Sequence, residues 1–115
     1  NLNLDLTSKG TGSVKISKAA VSYATAANSA AASVSAGFIS LTGSSSGTVT
    51  LADGTLNGEM KTFARRGGGS GTVSVTPATF AQGTSINFDP LDTAQLIRDG
   101  TTGWNIIGGY GYAVV

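Results

Sequence analysis

"AQLIRDGTTGWNIIGG", residues 94–109, decides how the rest of the chain is read. Apolar and polar side chains alternate on either side of Asp99-Gly100, the pairing that suits the positive φ angles of a tight hairpin turn. The stretch therefore reads as a strand, a turn and a returning strand. On strand alternation Trp104, Ile106 and Gly108 share one face, and Asn105 and Ile107 share the other. If Gly100 takes the positive φ of such a turn, a β-branched residue is poorly tolerated there.

The same alternation runs outward in both directions. "TSINFDP" (84–90) places Ile86 and Phe88 on one face and stops at Pro90, and "TVSVTPATF" (72–80) does so with Val73 and Val75 before Pro77. "GTVTLADGTLNGEMKTFAR" (47–65) offers Val49 and Leu51, an Asp53-Gly54 turn region, then Met60 and Phe63 in a returning strand. "LADGTLNG" and "IRDGTTG" echo one another, which reads as shared turn chemistry rather than duplication. At the front, "LNLDLTS" and "GSVKIS" flank the "KGTG" turn, with Leu2, Leu4 and Leu6 on one face of the first and Val14 and Ile16 on one face of the second, so residues 1–17 read as a hairpin. Helix has no place in 37–115, where Gly, Thr and β-branched residues recur.

"AAVSYATAANSAAASVSA" (19–36) permits two readings. Val21 and Tyr23 continue the alternation and the Ser content weakens helix propensity, which favours an extended segment, an Ala/Ser linker and a strand through Phe38–Leu41. A short helix packed on a symmetry axis through its alanines is the competing picture. The expected division is 1–18 as an N-terminal hairpin unit, 19–36 as a connecting segment and 37–115 as a C-terminal β domain.

Composition narrows the function classes. The chain of 115 residues has no Cys and no His, which removes thiol nucleophiles, disulfides, imidazole bases and the usual zinc and copper ligand sets. A net charge of +1 draws it neither to nucleic acid nor to an anionic membrane. No apolar run is long enough to span a bilayer, and no basic segment precedes a hydrophobic core as in a signal peptide. Charged residues make up 11% of the chain, less than half the usual share, and more than half of it is Gly, Ala, Ser or Thr. Such a surface is better tolerated when neighbouring subunits cover it, so an oligomer is expected.

Few side chains offer chemistry. Asp53 and Asp99 belong to turns and Asp5 to a polar strand face. Asp89 and Asp92 flank Pro90-Leu91 and lack the third oxygen-rich partner that calcium needs. Without a plausible acid pair or nucleophile the chain reads as no enzyme, with neither metal nor cofactor. "ARRGGGSGT" (64–72) lacks the Lys-Ser/Thr and following helix of a phosphate loop. Arg65 and Arg66 read as a hairpin tip in solvent or paired to a neighbouring subunit, or else as a contact loop for an acidic partner or glycan. Trp104, with Tyr110 and Tyr112 on one face separated only by Gly111, reads as a core or subunit-interface anchor. An exposed aromatic platform for sugars or a partner protein is the alternative.

The opening "LNLDLTSKGTGSVKIS" resembles a short unit common in fibres and structural proteins of tailed bacteriophages. The remainder, from "TVTLADGTLNGEMKTF" through "VTPATFAQGTSINFD" to "AQLIRDGTTGWNIIGG", is similar to a C-terminal β domain of virion proteins of marine and cyanobacterial phages. The resemblance implies a non-enzymatic homotrimer on a tail fibre, head fibre or capsid, in contact with other virion proteins and assembled in the host cytoplasm. A start at Asn1 would suit a C-terminal fragment of a longer fibre. No site residue carries over by position. The expected fold is all-β, a small β-sandwich or jelly-roll-like domain with an N-terminal β-hairpin, assembled as a trimer. The expected function is that of a structural module, with a receptor-binding module for bacterial surface glycan as the alternative.

Overall fold

A computed structural model describes residues 5, 7, 10–13 and 17–115. The strands expected within 1–17, with Leu2, Leu4, Leu6, Val14 and Ile16, lie outside the described residues. Nine strands follow: β1 (Tyr23–Ala26), β2 (Phe38–Leu41), β3 (Gly47–Leu51), β4 (Met60–Arg65), β5 (Val73–Pro77), β6 (Ile86–Phe88), β7 (Thr93–Asp99), β8 (Gly103–Tyr110) and β9 (Ala113–Val114). They form two mixed sheets, the first ordered β1-β2-β4-β7-β8 and the second β3-β5-β6-β9. The protein is an all-β domain. Alternation is what makes the strands: Val49 and Leu51, Val73 and Val75, Ile86 and Phe88, and Ala94 and Leu96 are all buried while their neighbours are not. Both sheets feed one core, in which Ile39, Leu41, Phe63, Phe88 and Trp104 pack with these residues.

The path between the sheets differs in the two halves of the chain. From β1 to β5 the chain passes from one sheet to the other and back. Each return lays a strand parallel to its predecessor, giving β1-β2-β4 in the first sheet and β3-β5 in the second. The expected hairpin of 47–65 is therefore not one: β3 and β4 belong to different sheets. The loop between them is held open by its own bonds. Glu59 Oε1 accepts from the Thr55 and Leu56 N–H groups at 3.2 and 3.3 Å, and the Gly58 N–H donates to the Arg98 carbonyl at 2.9 Å. Positive φ falls on Gly58 rather than Gly54. Met60 is exposed, and the inward face of β4 reads Lys61, Phe63, Arg65.

The 19–36 stretch is extended, and it does more than connect. Tyr23–Ala26 forms β1, and residues 29–32 run beside β3, the Ser29 and Ala32 N–H groups donating to the Thr48 and Thr50 carbonyls at 2.7 and 2.8 Å.

From β6 onward pairing is antiparallel. β7 and β8 form the hairpin expected from 94–109. Asp99 Oδ1 accepts from the Thr101 and Thr102 N–H groups at 2.7 and 3.4 Å, and the positive φ falls on Gly103 (80°), not Gly100. A bulge shifts the register between Gln95 and Leu96, which pair with Gly108 and Ile106 and leave Ile107 as the extra residue. Positive φ at Gly109 (147°) and Gly111 (77°) then swings the chain across to β9 in the second sheet.

Candidate functional site

The five residues picked out from the sequence do not meet. Trp104 is fully buried, its indole N–H donating to the Ala52 carbonyl at 3.1 Å and its backbone N–H to the Thr79 carbonyl at 3.0 Å. It anchors the core within a single chain. Tyr110 and Tyr112 do not share a face, because the positive φ of Gly111 between them breaks the alternation. Tyr110 is 75% exposed, whereas Tyr112 packs on the core.

Arg65 and Arg66 also part company. Arg65 is not in solvent: it lies on the inward face of β4, 2% exposed. Its Nη1 donates to the Gly71 and Phe88 carbonyls at 3.5 Å and its Nη2 to the Ser70 carbonyl at 3.4 Å, tying the glycine loop to the end of β6. Arg66, one position on, faces outward and is exposed. Its Nε donates to Ser40 Oγ at 2.7 Å and its Nη2 to the Tyr23 hydroxyl at 2.6 Å. Tyr23 in turn stacks on Phe38, ring centroids 5.8 Å apart and planes 15° from parallel.

This Tyr23–Phe38–Ser40–Arg66 group occupies the outer face of the first sheet. Strand register lines up Tyr23, Phe38, Thr62 and Gln95 in one row and Thr25, Ser40, Ala64 and Thr93 in the next. Tyr23 is 55% exposed, while Ser40 is 3% exposed. The hydrogen bond from Ser40, then the bond and positive charge of Arg66, hold the Tyr23 phenol below its ordinary pKa of 10.0.

A second cation is buried outright. Lys61 Nζ donates its three N–H groups to the Ser33, Val34 and Ala36 carbonyls at 2.8, 3.0 and 2.6 Å. Burial pushes its ammonium below the ordinary lysine value of 10.5, and nearby Glu59 offsets part of that. Lys61 is saturated by backbone and closes the 33–36 loop.

The carboxylates tie loops together or close their own turns. Asp53 Oδ2 accepts from the Thr79 hydroxyl at 3.0 Å, and Asp89 Oδ1 from the Thr72 hydroxyl at 2.6 Å. Asp92 Oδ2 accepts from the Asp89 backbone N–H at 2.8 Å. Among the described residues no three carboxylates gather into a group that would hold a metal ion. An open groove of about 430 Å³ along the second sheet is lined by Ala31, Thr50, Leu51, Ala52, Thr76, Pro77 and Ala78, with no ionisable side chain.

Sequence reasoning missed Tyr23, Phe38, Ser40 and Lys61. The parity of β4 carried one signal: Lys61 stands two residues from Phe63, on the inward face. Tyr23 and Phe38 sit at matching strand positions, but the sequence holds no sign that the two strands are neighbours. No protein-family model and no curated protein matches this chain.

Proposed function

We propose that this domain is a non-enzymatic structural module of a phage virion, a small sandwich-like unit that assembles as a trimer in a tail fibre, head fibre or capsid decoration. One observation carries the self-assembly part of that reading. Residues 19–52 contain no charged residue, and they supply the outer edges of both sheets on one side, β1 and the 29–32 segment. Among the described residues no strand pairs with the outer side of either. Monomeric proteins blunt such edges with Lys, Pro or bulges, because an unpaired ladder of N–H and C=O groups invites another chain. Here the flanking residues are instead apolar and exposed: Val21 at 69% and Val34 at 53%.

The far side of the molecule matches. Residues 100–115 are also free of charge. The first half of β8 is covered by residues 79–82, since Ala81 N–H donates to the Trp104 carbonyl and Ile106 N–H to Gln82 Oε1. Beyond it Ile107, Tyr110, Val114 and Val115 are exposed. Contact between the first edge of one copy and this far side of the next is head-to-tail, and three such contacts close a ring. The likeness of the strand-and-turn pattern to phage fibre proteins supports the virion setting. Burial of Trp104 inside one chain favours the structural role over a tryptophan-based receptor platform.

Light scattering is expected to give about three times the 11.4 kDa chain mass. Val21→Lys and Ile107→Lys each place a charge on an exposed edge residue, so both variants should fold and run as monomers. A monomeric wild-type protein at micromolar concentration would overturn the proposal.

A further inference from the structure

We propose that the outer face of the first sheet around Tyr23, Phe38, Ser40 and Arg66 binds an acidic saccharide, through a sugar carboxylate on Arg66 and a sugar ring on Tyr23. The inference is independent of the assembly described above, since side chains on a sheet face project away from the edges that pair.

The arginine comes first. An exposed Arg ordinarily samples many rotamers, and a ligand must pay for ordering it. Arg66 is already ordered, by Ser40 at its Nε and by the Tyr23 hydroxyl at one Nη2 hydrogen. Both partners are neutral, so neither cancels its charge. A guanidinium carries five N–H donors, so these two bonds leave three for a ligand, and a planar fork is the natural partner of a carboxylate.

The surroundings select a sugar over a bare anion. Tyr23 keeps more than half its surface in solvent although it stacks on Phe38. Its outer ring face can take the C–H face of a pyranose, as aromatic residues do with apolar ligand surfaces. The rest of the face offers the hydroxyls of Thr25, Thr62 and Thr93 and the amide of Gln95, a set suited to polyol hydroxyls, and none of the aligned positions is acidic. Four strands at about 4.8 Å spacing span about 14 Å, room for a di- or trisaccharide. Ser40 and the Arg66 guanidinium, whose Nη2 lies 2.6 Å from the phenol oxygen, hold the Tyr23 pKa below its ordinary value.

The probes are a linear tri-uronate, maltotriose as the neutral sugar of equal length, and acetate as the carboxylate without a ring. Binding is followed by amide chemical-shift titration and by tyrosine absorbance at alkaline pH. Expected is saturable binding of the tri-uronate that perturbs residues 23–25, 38–40, 62–66 and 93–95, at least about tenfold tighter than either control. Arg66→Gln and Tyr23→Ala should each weaken it about tenfold or more, with the melting profile and mass of wild type. Tri-uronate should also move Tyr23 ionisation back up, because a carboxylate on Arg66 competes with the tyrosinate for the same charge, a reciprocal coupling of the two sites. Arg66→Gln should abolish that shift. Absence of saturable binding, equal binding of acetate, or tri-uronate binding unchanged in Arg66→Gln would each overturn the proposal.

Discussion

The parallel half of the chain, β1 to β5, and the antiparallel half, β6 to β9, solve the same problem with different residues. In the parallel half the chain crosses between the sheets through long loops, and those loops turn carbonyls inward. Two buried cations satisfy them: Lys61 takes the carbonyls of Ser33, Val34 and Ala36, and Arg65 those of Ser70 and Gly71, with the Phe88 carbonyl at the end of β6 beside them. In the antiparallel half the turns are closed by backbone conformation, with positive φ at Gly103, Gly109 and Gly111, and one large side chain, Trp104, fills the core. The long crossovers thus draw on side chains that reach back to them, beside positive φ at Gly58, Gly68 and Gly71, whereas the tight turns close within themselves, through glycine, Leu91 (φ 76°) and the Asp92 and Asp99 carboxylates. The two Asp-Gly-Thr echoes make the same point. Asp99 bonds its own turn, while Asp53 reaches Thr79 and leaves its loop to Glu59.

The largest expected effect tests the antiparallel half. Trp104→Ala removes a fully buried indole and its bond to Ala52, at a cost of about 3–5 kcal/mol. That is comparable to the whole stability of a small domain, so thermal unfolding should move down by tens of degrees or the chain should fail to fold. A small shift in the melt would mean that the aromatic core does not anchor this half.

Lys61→Met tests the parallel half. It keeps the aliphatic stem but strips three carbonyls of their donor, and one to three kcal/mol is typical for a buried group left unsatisfied, so a loss of about 2–3 kcal/mol is expected. Hydrogen exchange should accelerate at β1 and the 29–36 segment before it does at β7 and β8. There is also a pH signature. The folded-state pKa of Lys61 lies below 10.5, so between the two values the unfolded chain holds the extra proton and stability rises with pH. Wild type should show that alkaline gain relative to Lys61→Met; parallel stability–pH curves for the two proteins would argue against a buried charge at this position.

The smallest effect sharpens the turn. Gly103 has φ 80° and a Cβ there would run into the Thr79 backbone carbonyl, whereas Gly100 has no positive φ and a Cβ there would meet only the Asn57 side chain. Gly103→Val should cost about 1–3 kcal/mol through the strained backbone alone, and Gly100→Val less. Chemical denaturation of the pair checks the order, and a reversed ranking would return the left-handed position to Gly100.

Much of the strand content was legible. Val49 and Leu51, Val73 and Val75, and Ile86 and Phe88 alternate in the sequence and are buried where the alternation puts them. The β7–β8 hairpin was legible for the same reason, with turn chemistry between its strands. Of the candidate site only Arg66 was in view. Its partners Tyr23 and Ser40 come from strands whose pairing leaves no local trace, since a parallel ladder joins residues that no turn connects.

The sequence by itself determined that the domain is all-β, where most strands lie and which face is apolar in strands such as β3, β5 and β6, because side-chain alternation is a property of consecutive residues. It also determined the scarcity of charge and the absence of thiol and imidazole chemistry. Only the tertiary structure decided that β3 and β4 part into different sheets, that Lys61 and Arg65 turn inward, and that Arg66 lies across Ser40 to Tyr23. The physical reason is that these depend on which backbone carbonyls and strands come to lie beside one another, and contacts between distant residues are set by how the whole chain closes around its core.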